Sequence, residues 1–581
     1  MNEQRFRWRN RQLREHTAVV DGKLAPTKLI KNTTYLNVYL KQWLKGHIWI
    51  YEDRIIYTGK ELPAMTEGTE VIEAEGSFVV PGYVEPHAHP FQLYNPRSLA
   101  DYAVQTGTTT LINDNLMWLF LIDQKQAFSL LEEFMNLSAS VFWWARFDSQ
   151  SALQEDEQLE FDEQILPWIQ HDAVIQGGEL TAWPHVLYGG DDQTLHRMQE
   201  TKRSRKPLEG HLPGASWKTL VKMRLLGIDS EHESMTADEV IARVTYGYQT
   251  GLRYSSIRPD LPEILEGLME KNIKNFDHMM FTTDGSTPNF YREGIINPCI
   301  QIAIEKGIDP IDAYMMGSYQ PARHFGIEDR VGSLAPGRVA HLNFLDNPNN
   351  PHPHSVLAKG EWVKKDNQLV KDQSEINWKK NGVGPLDLSW ELTEDDLQFS
   401  MPVGMEMVND VIMKPYPVDI EASVERLSHD HNEAFLTLID RDGKWKVNTI
   451  LKGFTNSLGG LISSYSNTGD IIILGKSRKD MKMAFDRMKE IGGGLVLVDE
   501  GKVIFELPLS LSGMMADLPM TDLMKEEVKL RNCLKTYGYK FGDPVYTLLF
   551  LSSVHLPFVR ITPQGLMDVK KNEVLYPAIM R

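Results

Sequence analysis

Cysteine is nearly missing: Cys299 and Cys533 are the only two in 581 residues. So distant a pair excludes a disulfide framework and makes a reducing cytoplasm the natural compartment. Long apolar runs are missing too. The most apolar short stretch, residues 116–122, stops at Asp123, well short of the ~20 residues that a membrane span needs. The basic opening residues 1–10 lead into no apolar core of a secretory signal. Positive charge is in deficit, with 61 Lys and Arg against 79 Asp and Glu and a net charge of -18. That balance excludes a nucleic-acid backbone or an anionic membrane as main partner and is compatible with a small, largely neutral ligand. Internal repeats and low-complexity tracts are absent, and the sequence leaves a homo-oligomer open.

What is present centres on Val79-Val80-Pro81-Gly82-Tyr83-Val84-Glu85-Pro86-His87-Ala88-His89-Pro90. An apolar run that leads into two histidines reads as a short buried strand with a polar site at its C-terminal end. Side chains on a strand alternate, so His87 and His89 share a face about 6–7 Å apart, a spacing that suits two imidazoles on one metal ion. A lone His-x-His is weak evidence. It gains weight from His211 in Leu208-Glu209-Gly210-His211-Leu212-Pro213-Gly214, His232 in Ser230-Glu231-His232-Glu233, and Asp284 in Thr282-Thr283-Asp284-Gly285, each between an apolar or small-residue segment and a turn.

The organisation is α/β. Residues 1–33 read as a charged extension. Residues 34–80 contain short alternating runs that predict hairpins, one turning at Glu52-Asp53, and a matching β piece follows at 331–375, so one small β-sandwich built from both flanks is expected. Between them, residues 81–330 have the size of a (β/α)8 barrel, about 250 residues. Helices are predicted at 97–105, 124–137, 237–245 (with Thr236 as N-cap and Glu239 three residues on), 261–271 and 298–306, and a strand at 108–113. Residues 371–384 read as a polar linker, and 385–581 as a separate α+β domain, in which Gly492-Gly493-Gly494 ends a helix rather than cradling phosphate.

The order of these motifs resembles the amidohydrolase superfamily, and more narrowly the adenine deaminase family, from about Thr34 to the end of the chain. Besides the histidine segments, Pro321-Ala322-Arg323-His324-Phe325-Gly326 and Ile491-Gly492-Gly493-Gly494-Leu495-Val496 carry the likeness. The resemblance implies a barrel with paired histidines after its first strand, single histidines after the fifth and sixth, and an aspartate after the eighth. It implies one divalent ion on His87, His89 and Asp284, a second on His211 and His232, and a carboxylate bridge from Glu179; manganese, iron and zinc all suit such donors. On that set Asp284 is placed to take a proton from the attacking water and return it to the leaving nitrogen of a heterocyclic substrate such as adenine, with ammonia released; Glu233, next to His232, is either the group that protonates a ring nitrogen or an exposed loop glutamate. Two departures bear on the substrate. Asn113-Asp114-Asn115 stands where family members carry a His-Glu pair, and Ser463 to Asp470 stands where they carry a histidine-rich loop. The alternatives are a cyclic-amide hydrolase and a barrel that binds without turnover. Trp118, Trp143, Trp144 and Trp183 are candidates to stack a flat ring, although burial in the core is the commoner fate of tryptophan.

Overall fold

The computed structural model describes residues 9–370 and 374–581. Eight parallel strands follow one another around a barrel: β1 (Tyr83–Ala88), β2 (Thr108–Asp114), β3 (Ser140–Ala145), β4 (Val174–Leu180), β5 (Leu208–Gly210), β6 (Ser230–Glu231), β7 (Gln249–Arg253) and β8 (Met279–Thr282). Every residue of these strands is buried, as side chains must be when helices cover the outside of a barrel and other side chains fill its inside. A side chain stitches β8 to β1: the Glu85 carboxylate accepts from the Thr282 hydroxyl (2.7 Å) and from the Thr283 amide (2.9 Å) and hydroxyl (2.7 Å). Burial outweighs these donors and pushes Glu85 up to about 7.

The apolar run before the paired histidines proves to be two strands. Phe78–Pro81 pairs antiparallel with Leu342–Leu345 in a flanking sheet, and β1 starts afresh at Tyr83. Gly82 is where the chain changes sheets. A β-carbon there would lie 2.0 Å from Thr109 Oγ1, so only glycine lets the two sheets approach this closely.

Strands from both flanks form a single nine-stranded sheet, in which Lys28–Asn37 lies next to both Phe78–Pro81 and Gln42–Tyr51. Its first strand begins at Lys28, inside the segment read as an extension. Helix Asn10–Val20 packs there too, with Val19 against Leu29, Trp49 and Ile56. Residues 1–8 of the expected extension lie outside the described residues.

The expected linker is not a free tether where it is described, from 374 on. Ser374 donates to Asp101 from its amide (3.0 Å) and hydroxyl (2.8 Å), Asn377 N and Asn381 Nδ2 each reach Glu133 at 2.9 Å, and Trp378 meets the Phe134 ring edge-on. Residues 371–373 lie outside the described residues. Beyond, a second nine-stranded sheet carries helix Arg478–Glu490, and the three glycines after it all have positive φ, as a helix terminus followed by a tight turn requires. This region does not stand apart from the barrel. One apolar cluster runs through both, and backbone and side-chain bonds join their loops, such as Val554 N to Gln150 O (2.9 Å) and Asn95 Nδ2 to Ala516 O (2.8 Å). The C-terminal region therefore roofs the mouth where the barrel strands end. Among the described residues no helix is long and apolar enough to cross a membrane.

Asp396 closes the far side of the C-terminal sheet. Arg581 grips both its oxygens (2.7 and 2.7 Å), and Lys446 adds a third contact at 3.1 Å. Burial pulls its carboxyl up, but Arg581 and the Thr393 donors outweigh that and hold it well below the usual carboxylate range. A depressed folded value stabilises the protein above the ordinary pKa and loses that contribution as pH falls through the folded one. Arg581→Ala is therefore expected to lower the thermal midpoint at neutral pH and to shrink its decline below about pH 4; melts at a series of pH values that superimpose on wild type would remove this role.

Candidate metal centre

β1 delivers His87 near its end and His89 just past it, with their Nε2 atoms 3.1 Å apart. Asp284, two residues beyond β8, brings Oδ1 to 2.9 Å from His89 Nε2 and 3.6 Å from His87 Nε2. Its φ of +49° is left-handed, a region that aspartate tolerates better than most residues. Gly285 follows for a steric reason, since a β-carbon there would sit 2.8 Å from that of His89. Glu179, near the end of β4, lies between the two histidine pairs. Its Oε1 is 2.6 Å from His211 Nδ1 and 3.5 Å from His232 Nε2, and its Oε2 is 3.9 Å from His87 Nε2. All six ligands expected from the resemblance thus meet at one end of the barrel, each at or just after the C-terminal end of its strand.

A second layer fixes the rings. Glu209 on β5 accepts from Nδ1 of both His87 (2.8 Å) and His232 (3.1 Å), and Gln176 Nε2 steadies it at 2.6 Å. Asp114, ending β2, takes Nδ1 of His89 at 2.8 Å. With Nδ1 donating outward, the Nε2 lone pairs of His87, His89 and His232 face the shared centre. Trp144 stacks on His87 (4.3 Å, 20°) and meets His89 edge-on (5.4 Å), so this tryptophan supports ligands, whereas Trp118 and Trp143 pack in the core and Trp183 packs against it.

A metal fits these donors. His232 Nε2 is buried without a hydrogen-bond partner, which is costly for a polar atom unless it binds an ion. Five carboxylates are buried here (Asp114, Glu179, Glu209, Glu233 and Asp284); Arg146, Arg253 and Arg258 pair with four of them, and Glu209 faces the imidazoles of His87 and His232. Burial drives each of the five upward, yet the neighbouring cationic groups outweigh it and hold all of them below the usual carboxylate range. Negative charge in excess of the guanidiniums, arranged with imidazoles, is what divalent cations neutralise.

Glu233 is buried, so it is not the exposed loop glutamate that was one of its two expected readings. Burial raises its carboxyl, but His211, Arg253 and Arg258 bring it down to about 2, so it reaches the site as an anion. It lies 3.4 Å from His232 Nε2 and 3.6 Å from His211 Nδ1.

Sequence reasoning missed Glu209, Asp114, Arg146 and Arg253 as working parts. Glu209 had a signal, since it stands two residues before His211 and so faces the same way on the strand. Arg146 had none. It spans Asp114 (3.0 and 2.7 Å) and Glu179 (2.8 Å), partners contributed by two other strands. Arg253, ending β7, similarly joins Asp284 (2.7 Å) to Glu233. His555, from the C-terminal region, meets His211 ring to edge at 5.5 Å.

Glu209→Gln is expected to weaken metal binding about 10- to 100-fold, because the amide cannot accept from two imidazoles as the carboxylate does. Chelator competition measures this, and an unchanged affinity would refute the buttressing role.

Barrel and site together define a metal-dependent amidohydrolase. The model of the amidohydrolase family matches residues 78–370, and that of the adenine deaminase C-terminal domain matches residues 410–573. The chain is 55% identical over 574 residues to "Putative adenine deaminase OB0751" of Oceanobacillus iheyensis, covering 99% of each chain. It is 51% identical to "Putative adenine deaminase YerA" of Bacillus subtilis, covering 100% of each, and 28% identical over 575 residues to "Adenine deaminase" of Kosmotoga olearia, covering 95% of this chain and 97% of that one. The chain belongs to the adenine deaminase family of the amidohydrolases.

Proposed function

We propose that this protein is a hydrolytic deaminase that converts adenine, or a closely related aminated heterocycle, and water to hypoxanthine, or the corresponding oxo product, and ammonia. The reading is carried by one observation: the ring nitrogens of His87, His89, His211 and His232 converge with the carboxylates of Glu179 and Asp284 at the roofed end of the barrel. His87, His89 and Asp284 would hold one divalent ion, and His211 and His232 a second, with Glu179 between; manganese, iron and zinc all suit the set. Such a pair would supply a water deprotonated near neutral pH and a Lewis acid for the ring nitrogen next to the attacked carbon.

The rest falls to the chain's own groups. Asp284, kept ionised by Arg253 and His89 against its burial, accepts the proton of the attacking water at Oδ1 and returns it to the departing nitrogen. Arg253 holds Asp284 in place from its other oxygen. Glu233 acts as an anion that positions Arg253 and Arg258 and accepts a substrate N–H, rather than as an acid. Substrate would lie beside His89, where a cavity of about 40 Å³ is lined by Phe91, Gln92, Arg146, Tyr465 and Asn467. That volume is far below the roughly 300 Å³ of ordinary ligand pockets. The Tyr465 hydroxyl donates to Gln92 across this cavity, so a bound heterocycle would compete with that bond.

Elemental analysis combined with an ammonia-release screen over aminopurines, aminopyrimidines and cyclic imides tests the reading. Two ions per chain and ammonia from adenine are expected. Ring opening of imides without ammonia, or a fully loaded protein that turns over no compound, would overturn it.

A further inference from the structure

At the opposite end of the barrel, where the strands begin, lies a second and larger cavity of about 460 Å³. Lys202, Arg205, Lys206, Arg224, Arg323 and His324 line it. In a chain of net charge -18, five lysines and arginines around one opening is a concentration against the general trend. The two carboxylates in the lining are already engaged. Asp229 accepts from Lys202 (2.5 Å), Arg224 (2.9 Å) and the Leu208 amide (3.0 Å), and Asp277 accepts from Lys41 (3.0 Å) and Gln320 (3.2 Å). Arg205 and Arg323 are exposed and form no ion pair among the described residues. His324 adds a buried Nε2 without a hydrogen-bond partner. Lys206 is buried, with Nζ donating to the carbonyls of Ile169 and His171.

We propose that this cavity is a binding site for a small molecule bearing two or more phosphate charges, distinct from the metal centre. Guanidinium groups pair with phosphate oxygens two at a time, and the volume falls within the range of small-ligand pockets. Among the described residues no tryptophan, tyrosine or phenylalanine lines it, so the phosphate groups, rather than a stacked base, would be what it recognises. The cavity lies at the starts of β5 to β8, the strands whose far ends lead to His211, His232, Arg253 and Asp284.

Calorimetric titration of the metal-loaded full chain with inorganic pyrophosphate and with uridine 5'-diphosphate tests this. The uracil ring carries no exocyclic amine to engage the deaminase centre, and metal content measured afterwards controls for chelation. Saturable binding of one molecule per chain is expected, weakened at least about tenfold in Arg205→Glu/Arg323→Glu and less in Arg323→Ala, with ammonia release from adenine unchanged in both variants. Equal affinities for the two probes identify an inorganic ligand or a bare phosphate end, whereas tighter uridine diphosphate identifies a nucleotide; both support the site. No saturable binding at millimolar probe, or undiminished affinity in the double variant when its melting matches wild type, overturns it.

Discussion

Asp284→Asn is expected to lower kcat by about 100- to 10,000-fold, the range for removing a positioned proton acceptor, while most of the bound metal stays. The retention follows from the donors that remain, because His87, His89, Glu179, His211 and His232 are untouched, and the outward nitrogens of His87, His89 and His232 are still held by Glu209 and Asp114. Asparagine fits the same left-handed backbone and can still accept from Arg253 through its carbonyl oxygen, so little rearrangement should accompany the substitution. The two readouts together make the test discriminating. Loss of activity in step with loss of metal would assign Asp284 to ion binding alone, and wild-type kcat with full metal would remove it from the chemistry. His211→Ala is the matched comparison, expected to lose metal first and activity as a consequence.

The second large effect concerns Arg146. Its guanidinium is 1% exposed and holds Asp114 and Glu179 at once, and through them His89 and His211. Truncation to alanine leaves two ionised carboxylates buried with one cationic partner fewer, a change that costs about 3–5 kcal/mol where buried ion pairs are broken. Arg146→Ala is thus expected to unfold at clearly lower denaturant concentration than wild type in the metal-free state. Arg146→Lys is expected to recover little, because one ammonium cannot reach both carboxylates as the planar fork does. Saturating metal should narrow the gap, since an ion restores positive charge next to Glu179. Denaturation curves that coincide for wild type and Arg146→Ala without metal would show that the network carries no such load.

Much of the site was legible because its ligands sit where local geometry leaves a periodic mark. Alternation along an extended segment aligned His87 with His89, and the position of His211, His232 and Asp284 after short apolar stretches matched strand ends of a barrel. Helix starts were legible for the same reason: Thr236 accepts from the Glu239 amide, the cap its side chain announces. Where the reading went astray, the deciding contact came from far away in the chain. The run from Val79 read as one strand, although the boundary between sandwich and barrel was expected at residues 80 and 81, because hydrophobicity does not record which sheet a residue joins; pairing with Leu342–Leu345 claimed the first part and the barrel the second. Residues 374–384 read as a linker because their polarity could not disclose that Asp101 and Glu133 on barrel helices would receive their hydrogen bonds.

The amino-acid order by itself determined the donor types, their sequence along the barrel and the acidic surface, since each depends only on side-chain chemistry and local periodicity. Tertiary structure alone decided which charges meet. Arg146 bridges neighbouring strands, Glu209 braces two histidines at once, and His211, Arg253 and Arg258 hold the buried Glu233 carboxyl below its usual range. A carboxyl's proton affinity and a ring's orientation are set by whatever stands within a few ångströms, and in a barrel those neighbours come from segments tens to hundreds of residues apart.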